Sequence, residues 1–127
     1  MKSKEFSIVI GVDAGYQGQT SGIASNQAAM LVSSKWQEIA ANVFEKSGIY
    51  VGAAVTASAV VYHTDWGCPV GGERTVNIEG AANPQFTENL KKWQETVVEI
   101  AETLKKELKQ STVSIIFRDV DFVYLTD

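Results

Sequence analysis

The segment YHTDWGCPVGGERT, residues 62–75, gathers many of the side chains in this chain that could carry out chemistry. It contains the only histidine, His63, and the only cysteine, Cys68, together with Asp65 and Arg74. An imidazole, a carboxylate and a thiol that lie close together can transfer protons or attack an electrophile. If this segment borders a pocket, His63, Asp65, Cys68 and Arg74 are therefore the candidate catalytic residues.

The Cys-x5-Arg-Thr spacing in CPVGGERT resembles the phosphate-binding loop of cysteine-dependent phosphatases. The resemblance implies Cys68 as the nucleophile and Arg74 as the phosphate clamp. It further implies Thr75 as the hydroxyl that helps the thiolate leave, and Asp65 as the general acid. The segment departs from that family at Gly67, where a histidine is usual, and after Arg74. There TVNIE predicts a strand instead of the helix whose N-terminus lowers the pKa of the thiol.

The same segment has a plain structural interpretation, as the connection between two strands. Gly67, Gly71 and Gly72 allow positive φ, and Pro69 stiffens a turn. In this interpretation Trp66 covers the end of the core, and the polar side chains project from a strand end. A further alternative is an acid–base site, unrelated to phosphatases, that uses some of the same groups.

A second segment, IVIGVDAGYQGQT, resembles the first phosphate motif of the actin, sugar-kinase and Hsp70 group, with Asp13 at the metal position. Proteins of that group need two lobes of one fold, whereas 127 residues suffice for one domain. The glycines predict instead a loop over residues 13–24, which would act as a lid over one end of the sheet. A small-molecule ligand is expected to contact Asp13, Tyr62, Trp66 and Glu73.

Hydrophobic periodicity predicts the elements that position these residues, in the order strand, helix, strand, strand, helix, strand. The predicted strands cover residues 6–13, 50–65, 74–79 and 112–127, and the predicted helices cover 25–46 and 84–110. Gly48 is expected to cap the end of the first helix. Asn83 is expected to cap the start of the second, with Pro84 in its first turn.

Two finer features are also predicted. Trp36 and Trp93 lie on the apolar stripes of the two helices, which places both side chains in the core. In the last strand the alternation of apolar residues changes phase at Arg118 and Asp119, which predicts a bulge or bend.

The predicted element order indicates a ferredoxin-like α+β sandwich with βαββαβ topology. Two helices would cover one face of a four-stranded, mostly antiparallel sheet, and residues 1–127 would form a single α+β domain. A mixed-sheet α/β layout is the alternative.

The uncovered sheet face predicts self-association. The last strand carries apolar residues on both sides, including Ile116, Val120 and Phe122, and a bare apolar face is unusual on a monomer. We therefore expect a homo-oligomer that forms through the sheet face. The layout resembles the tautomerase superfamily, whose small subunits form trimers through their sheets. The chemistry of that family uses an N-terminal proline, so the resemblance implies layout only for a chain that begins with Met1, Lys2 and Ser3.

Composition narrows the range of partners. The net charge of −4 and the lack of a basic run predict no nucleic-acid partner and no anionic membrane surface. The sequence has no cluster of cysteines and histidines that could hold a metal ion, so we expect no metal, and we expect no cofactor. The first apolar run is too short for a signal peptide or a membrane span, which predicts a cytoplasmic protein.

Two functional hypotheses follow from the sequence. The first is a protein of unknown function, a self-associating small-molecule-binding or assembly module. The second is a small hydrolase or isomerase that uses Cys68 or His63 with Asp65 and Arg74. The two differ in one property, because the enzyme needs a reactive thiol or imidazole and the module does not.

Overall fold

A four-stranded sheet with two helices on one of its faces forms the fold. The computed structural model describes residues 1–13 and 25–127. In chain order its elements are β1 (Lys2–Gly11), α1 (Ser25–Ser47), β2 (Ala54–Val60), a 3₁₀ helix (Thr64–Trp66), β3 (Glu73–Ala81), α2 (Leu90–Glu107) and β4 (Ser114–Asp121). The strand order is β2-β3-β1-β4 with antiparallel pairing throughout. The ferredoxin-like prediction is confirmed, and the mixed-sheet alternative is wrong for the described strands.

The core lies between the helices and the central strands. On β1, Phe6, Ile8 and Ile10 are each at most 1% exposed. The ring of Phe6 stacks on Trp36 of α1 and lies at a tilt to Trp93 of α2, with both centroid distances 5.7 Å. Trp36 and Trp93 are 3% and 2% exposed, as predicted. Each such side chain contributes about 2 kcal/mol or more by leaving water.

The helix ends agree only in part with the sequence. Gly48 follows α1 with φ of 75° and donates its backbone N–H to Phe44, so the predicted cap is confirmed. The predicted Asn83 cap of α2 is wrong, because Asn89 caps the helix by accepting from the backbone N–H of Lys92. Asn83 forms a separate turn, in which its side chain accepts from the backbone N–H of Gln85.

Two strand predictions also need correction. The strand predicted at 50–65 is only Ala54–Val60. Before it, the Val51 carbonyl accepts from the Trp36 indole at 3.0 Å, and after it a 3₁₀ helix begins at Thr64. The bulge predicted at Arg118 and Asp119 is absent, since all of β4 pairs with β1 in unbroken register. The change in the alternation of apolar residues at Arg118 and Asp119 is therefore a change in residue type only, and the backbone of β4 remains regular.

The open face of the sheet is more polar than the sequence indicated. Ser58 on β2 hydrogen-bonds to Thr75 and Asn77 on β3, at 2.7 and 3.0 Å. On the edge strand β4, Ile116 is 50% exposed. A mixed surface thus replaces the expected bare apolar face, and self-association through it stays a prediction.

Gly80→Ala is expected to lower the free energy of unfolding by about 1–3 kcal/mol, because the site has no room for a methyl group. A Cβ at Gly80 would lie 2.6 Å from the Gly52 carbonyl oxygen and 2.9 Å from a ring carbon of Phe6. Urea unfolding measures the change. Gly52→Ala is the control, because no atom lies within 4 Å of its added Cβ. Equal stability of the two variants would contradict the prediction.

Candidate functional site

One end of the sheet carries the candidate site. There β1 and β2 end, at Gly11 and Val60, and β3 and β4 begin, at Glu73 and Ser114. A cleft of about 390 Å³ opens at this end, within the size range of small-molecule sites. Its lining is Tyr62, Trp66, Glu73, Lys109, Gln110, Ser111 and Thr112.

A tyrosine and a glutamate form one wall of the cleft. The Tyr62 hydroxyl donates to Glu73 Oε2 at 3.1 Å, which orients the carboxylate. Gly11 makes room for it, since a Cβ there would lie 3.1 Å from Glu73 Oε1 and would overlap Gln110 Oε1. Trp66 stands beside them on the 3₁₀ helix and is 72% exposed. The cleft thus offers a fixed carboxylate next to aromatic surface, which suits a cationic ligand.

A buried ion pair supports the cleft from below. Arg74 donates to both carboxylate oxygens of Asp13, at 2.6 and 3.1 Å, and Asp13 is 2% exposed. The hydrogen bond to Asp13 raises the pKa of the Arg74 guanidinium, although partial burial opposes the rise. Gln110 donates to the Asp13 backbone carbonyl at 2.7 Å. The ion pair and the Gln110 hydrogen bond together connect the residues after β1, the start of β3 and the segment after α2.

Cys68 has a structural environment. It is 5% exposed, and its sulfur accepts from the backbone N–H of Tyr62 at 3.5 Å and lies near the Pro69 carbonyl at 3.3 Å. Arg74 belongs to strand β3 and binds Asp13, so neither a helix N-terminus nor a free arginine completes a phosphate loop. The phosphatase-like arrangement is wrong for these reasons.

The loop before β3 has the predicted turn geometry. Gly67, Gly71 and Gly72 have φ of 99°, 91° and 102°, and Gly72 donates to the Pro69 carbonyl at 3.0 Å. These positive φ values are unfavourable for residues with a side chain. The segment is a strand connection that also carries cleft residues.

His63 and Asp65 do not line the cleft. His63 Nδ1 accepts from the backbone N–H of Asp65 at 3.1 Å and so caps the 3₁₀ helix. The imidazole packs near the Trp66 ring, with the two ring centroids 5.7 Å apart. Both side chains are exposed, at 59% and 85%. Their catalytic role stays a prediction that this geometry does not favour.

The structure brings together three of the four predicted ligand-binding residues, namely Tyr62, Trp66 and Glu73. Asp13 lies beneath the cleft, and the predicted lid falls on residues outside the described part, apart from Asp13. Sequence reasoning missed Lys109–Thr112. The predicted topology could have identified these residues. In that topology the connection into β4 lies at the same end of the sheet as the connection between β2 and β3.

Further features concern membranes and metals. Within residues 1–13 and 25–127, no helix is long and apolar enough to cross a membrane. The same residues contain no group of three or more His, Cys, Asp or Glu side chains placed to hold a metal ion.

Cys68 is expected to resist alkylation in the native protein and to react fully in urea, because its thiol is buried among backbone groups. Timed reaction with iodoacetamide, read by mass spectrometry, measures both states. Rapid native reaction, at the rate of the unfolded chain, would contradict the structural role.

Two solved structures are similar to this chain in fold, and both are described as phage SAM lyase. One, in complex with S-methyl-5'-thioadenosine, covers 92% of this chain and 81% of its own, with a TM-score of 0.59 and 16% identity. The other, in the apo state, covers 93% and 81%, with a TM-score of 0.62 and 16% identity. A comparison with curated proteins found no match.

A family model described as SAM lyase matches residues 1–126. This match overturns both functional hypotheses from the sequence, and the description as a protein of unknown function is wrong. The assembly or binding module is wrong because the family is named for a reaction, and the hydrolase or isomerase is wrong because that reaction is a lyase reaction. Since the match spans nearly the whole chain of 127 residues, the chain belongs to the SAM lyase family.

Proposed function

We propose that this protein cleaves S-adenosylmethionine and releases S-methyl-5'-thioadenosine, without water as a reactant. The family match over residues 1–126 carries the proposal. The similar phage enzyme solved with S-methyl-5'-thioadenosine suggests which bond breaks, because that molecule is what remains when the four-carbon amino acid unit leaves the sulfur.

The cleft suits the parts of this substrate. S-adenosylmethionine has a sulfonium and an ammonium, both positive, and Glu73 is a carboxylate held in place by Tyr62. Tyr62 and Trp66 offer aromatic surface to the adenine ring or to a cation. Gln110, Ser111 and Thr112 add hydrogen-bonding groups for the ribose. The cleft volume of about 390 Å³ is adequate for most of such a ligand.

The bond changes of the reaction can be written without water. The bond from the sulfonium sulfur to Cγ breaks, and its electron pair stays on sulfur, which becomes a neutral thioether. A carboxylate oxygen of the same molecule forms a new bond to Cγ, which closes a five-membered lactone and leaves the ammonium unchanged. Because a positive and a negative charge disappear together, a site with little water favours the step. Glu73 would bind the ammonium and hold the folded substrate.

Two further properties belong to the proposal. The enzyme would act in the cytoplasm, where its substrate is made.

It would self-associate through the open sheet face, on which Ile116 remains half exposed. Light scattering during size-exclusion chromatography measures the mass in solution, and a mass equal to the 13.8 kDa chain would overturn the self-association.

The test is incubation of the protein with S-adenosylmethionine in ¹⁸O-labelled water, with early products identified by NMR and mass spectrometry. The expected products are S-methyl-5'-thioadenosine and homoserine lactone without label. Labelled homoserine formed directly would indicate hydrolysis, and vinylglycine would indicate elimination. Unchanged substrate would overturn the proposed function.

A further inference from the structure

Lys109 adopts a backbone conformation that lysine rarely occupies. Its φ is 55°, and it is the only non-glycine residue with positive φ among residues 1–13 and 25–127. Glycine is the usual residue at this position after a helix, because a side chain is unfavourable there.

The hydrogen bonds around Lys109 fix this conformation. Gln110 donates to the Lys105 carbonyl at 3.0 Å, and Lys109 donates to the Lys106 carbonyl at 3.1 Å. Together they form the paired bonds of a Schellman motif, which ends α2 and turns the chain toward β4. The turn brings Lys109 to the lining of the cleft. A strained residue at a functional cleft is a reason to look for a binding role.

The Lys109 ammonium has no ion pair or hydrogen bond with the rest of the described chain. The other lysines in the last turn of α2, Lys105 and Lys106, already place positive charge near the helix C-terminus. Helix stability alone therefore gives little reason for a third lysine in a position that favours glycine.

The lining of the cleft contains two residues of opposite charge. Glu73 supplies a carboxylate bound by Tyr62, and Lys109 supplies an ammonium without a partner in the described residues. Arg74, the other nearby cation, is bound to Asp13. A ligand that carries a cation and a carboxylate on one short chain matches this pair of charges.

We propose that Lys109 binds the carboxylate of the amino acid part of S-adenosylmethionine and selects for ligands that carry it. This inference rests on the proposed function. Lys109 would bind one carboxylate oxygen and leave the other free to attack Cγ. It is thus a specificity-determining residue, and its loss should act on binding more than on the bond-breaking step.

The test compares two ligands that do not react. S-adenosylhomocysteine carries the amino acid part, and S-methyl-5'-thioadenosine lacks it. In Lys109→Asn the charge is lost, while asparagine still tolerates the left-handed backbone. We expect its Kd for S-adenosylhomocysteine to rise by about 10-fold or more, and its Kd for S-methyl-5'-thioadenosine to change by less than about 3-fold. Calorimetric titration measures both.

Two control variants and one stability measurement separate binding from structure. Lys109→Arg should keep the affinity for S-adenosylhomocysteine near wild type, and Lys106→Gln, which removes an exposed charge outside the cleft lining, should change neither Kd. The thermal midpoint of Lys109→Asn should stay within a few degrees of wild type. A loss of affinity that is equal for both ligands, or absent for both, would overturn the proposal.

The same experiments distinguish a failure of the role assigned to Lys109 from a failure of the proposed function. If wild type consumes S-adenosylmethionine and Lys109→Asn leaves the ratio of the two Kd values unchanged, only the role of Lys109 fails. If wild type neither consumes S-adenosylmethionine nor binds S-methyl-5'-thioadenosine, the proposed function fails and the assignment of Lys109 fails with it.

Discussion

Replacement of Glu73 by glutamine is expected to lower kcat/KM for S-adenosylmethionine by about 10- to 100-fold, mainly through a higher KM. Glutamine keeps the size and the hydrogen bond from Tyr62 but removes the negative charge. A hydrogen bond to a charged group is worth about 1.5–3 kcal/mol, which sets the size of the effect. The loss should appear in KM because the ammonium of the substrate keeps its charge throughout the reaction.

Steady-state kinetics with a matched control tests the role of Glu73. Glu79 lies on the same strand, alternates onto the same side of the sheet, and is exposed. Glu79→Gln therefore makes the same charge change away from the cleft and should keep kcat/KM within about 2-fold of wild type. A similar loss in both variants would point to a general charge effect and would contradict the assigned role.

Asp13→Asn is expected to lower the free energy of unfolding by about 2–3 kcal/mol. The variant leaves the Arg74 guanidinium without its carboxylate partner, and the Asp13 side chain is only 3% exposed. We place the effect below that of a fully buried pair because the Arg74 side chain is 24% exposed and water can solvate part of it. Urea unfolding measures the change.

A double-mutant cycle separates the ion pair from other effects at Asp13. Arg74→Met removes the cation, and the double variant removes both charges. If the pair carries the effect, the double variant should be more stable than the sum of the two single changes predicts. Additive losses would show that the pair contributes little and that the damage arises elsewhere.

Most of the fold followed from local pattern. The alternation of Phe6, Ile8 and Ile10 and the helical stripes with Trp36 and Trp93 are local repeats, and each repeat indicates a strand or a helix without knowledge of its partners. Where two signals compete locally, the sequence was insufficient. Both Asn83 and Asn89 can cap a helix, and in the structure Asn89 is the cap, with the helix beginning at Leu90.

The site was predictable only on one side. Tyr62 and Trp66 lie in the connection between β2 and β3, and Glu73 is the first residue of β3, so their proximity was apparent from a short stretch of sequence. Even there, the sequence indicated His63 and Cys68 as the reactive residues. In the structure His63 caps the 3₁₀ helix, and Cys68 is a buried side chain. Reactivity depends on burial and partners, and neither can be read from residue type.

Local patterns in the sequence determined the element types, their βαββαβ order and the stretch that carries the tyrosine, tryptophan and glutamate of the cleft, because these depend on periodicity and on residues close in the chain. The ferredoxin-like topology was inferred from that order by general rules of strand connection. The folded chain was needed to place Lys109 and Gln110 in the lining of the same cleft as Glu73 and to join Asp13 to Arg74. These residues are far apart in sequence, and the antiparallel order β2-β3-β1-β4 brings their segments to one end of the sheet. Long-range pairing, which no local pattern encodes, therefore decided the charge layout of the cleft.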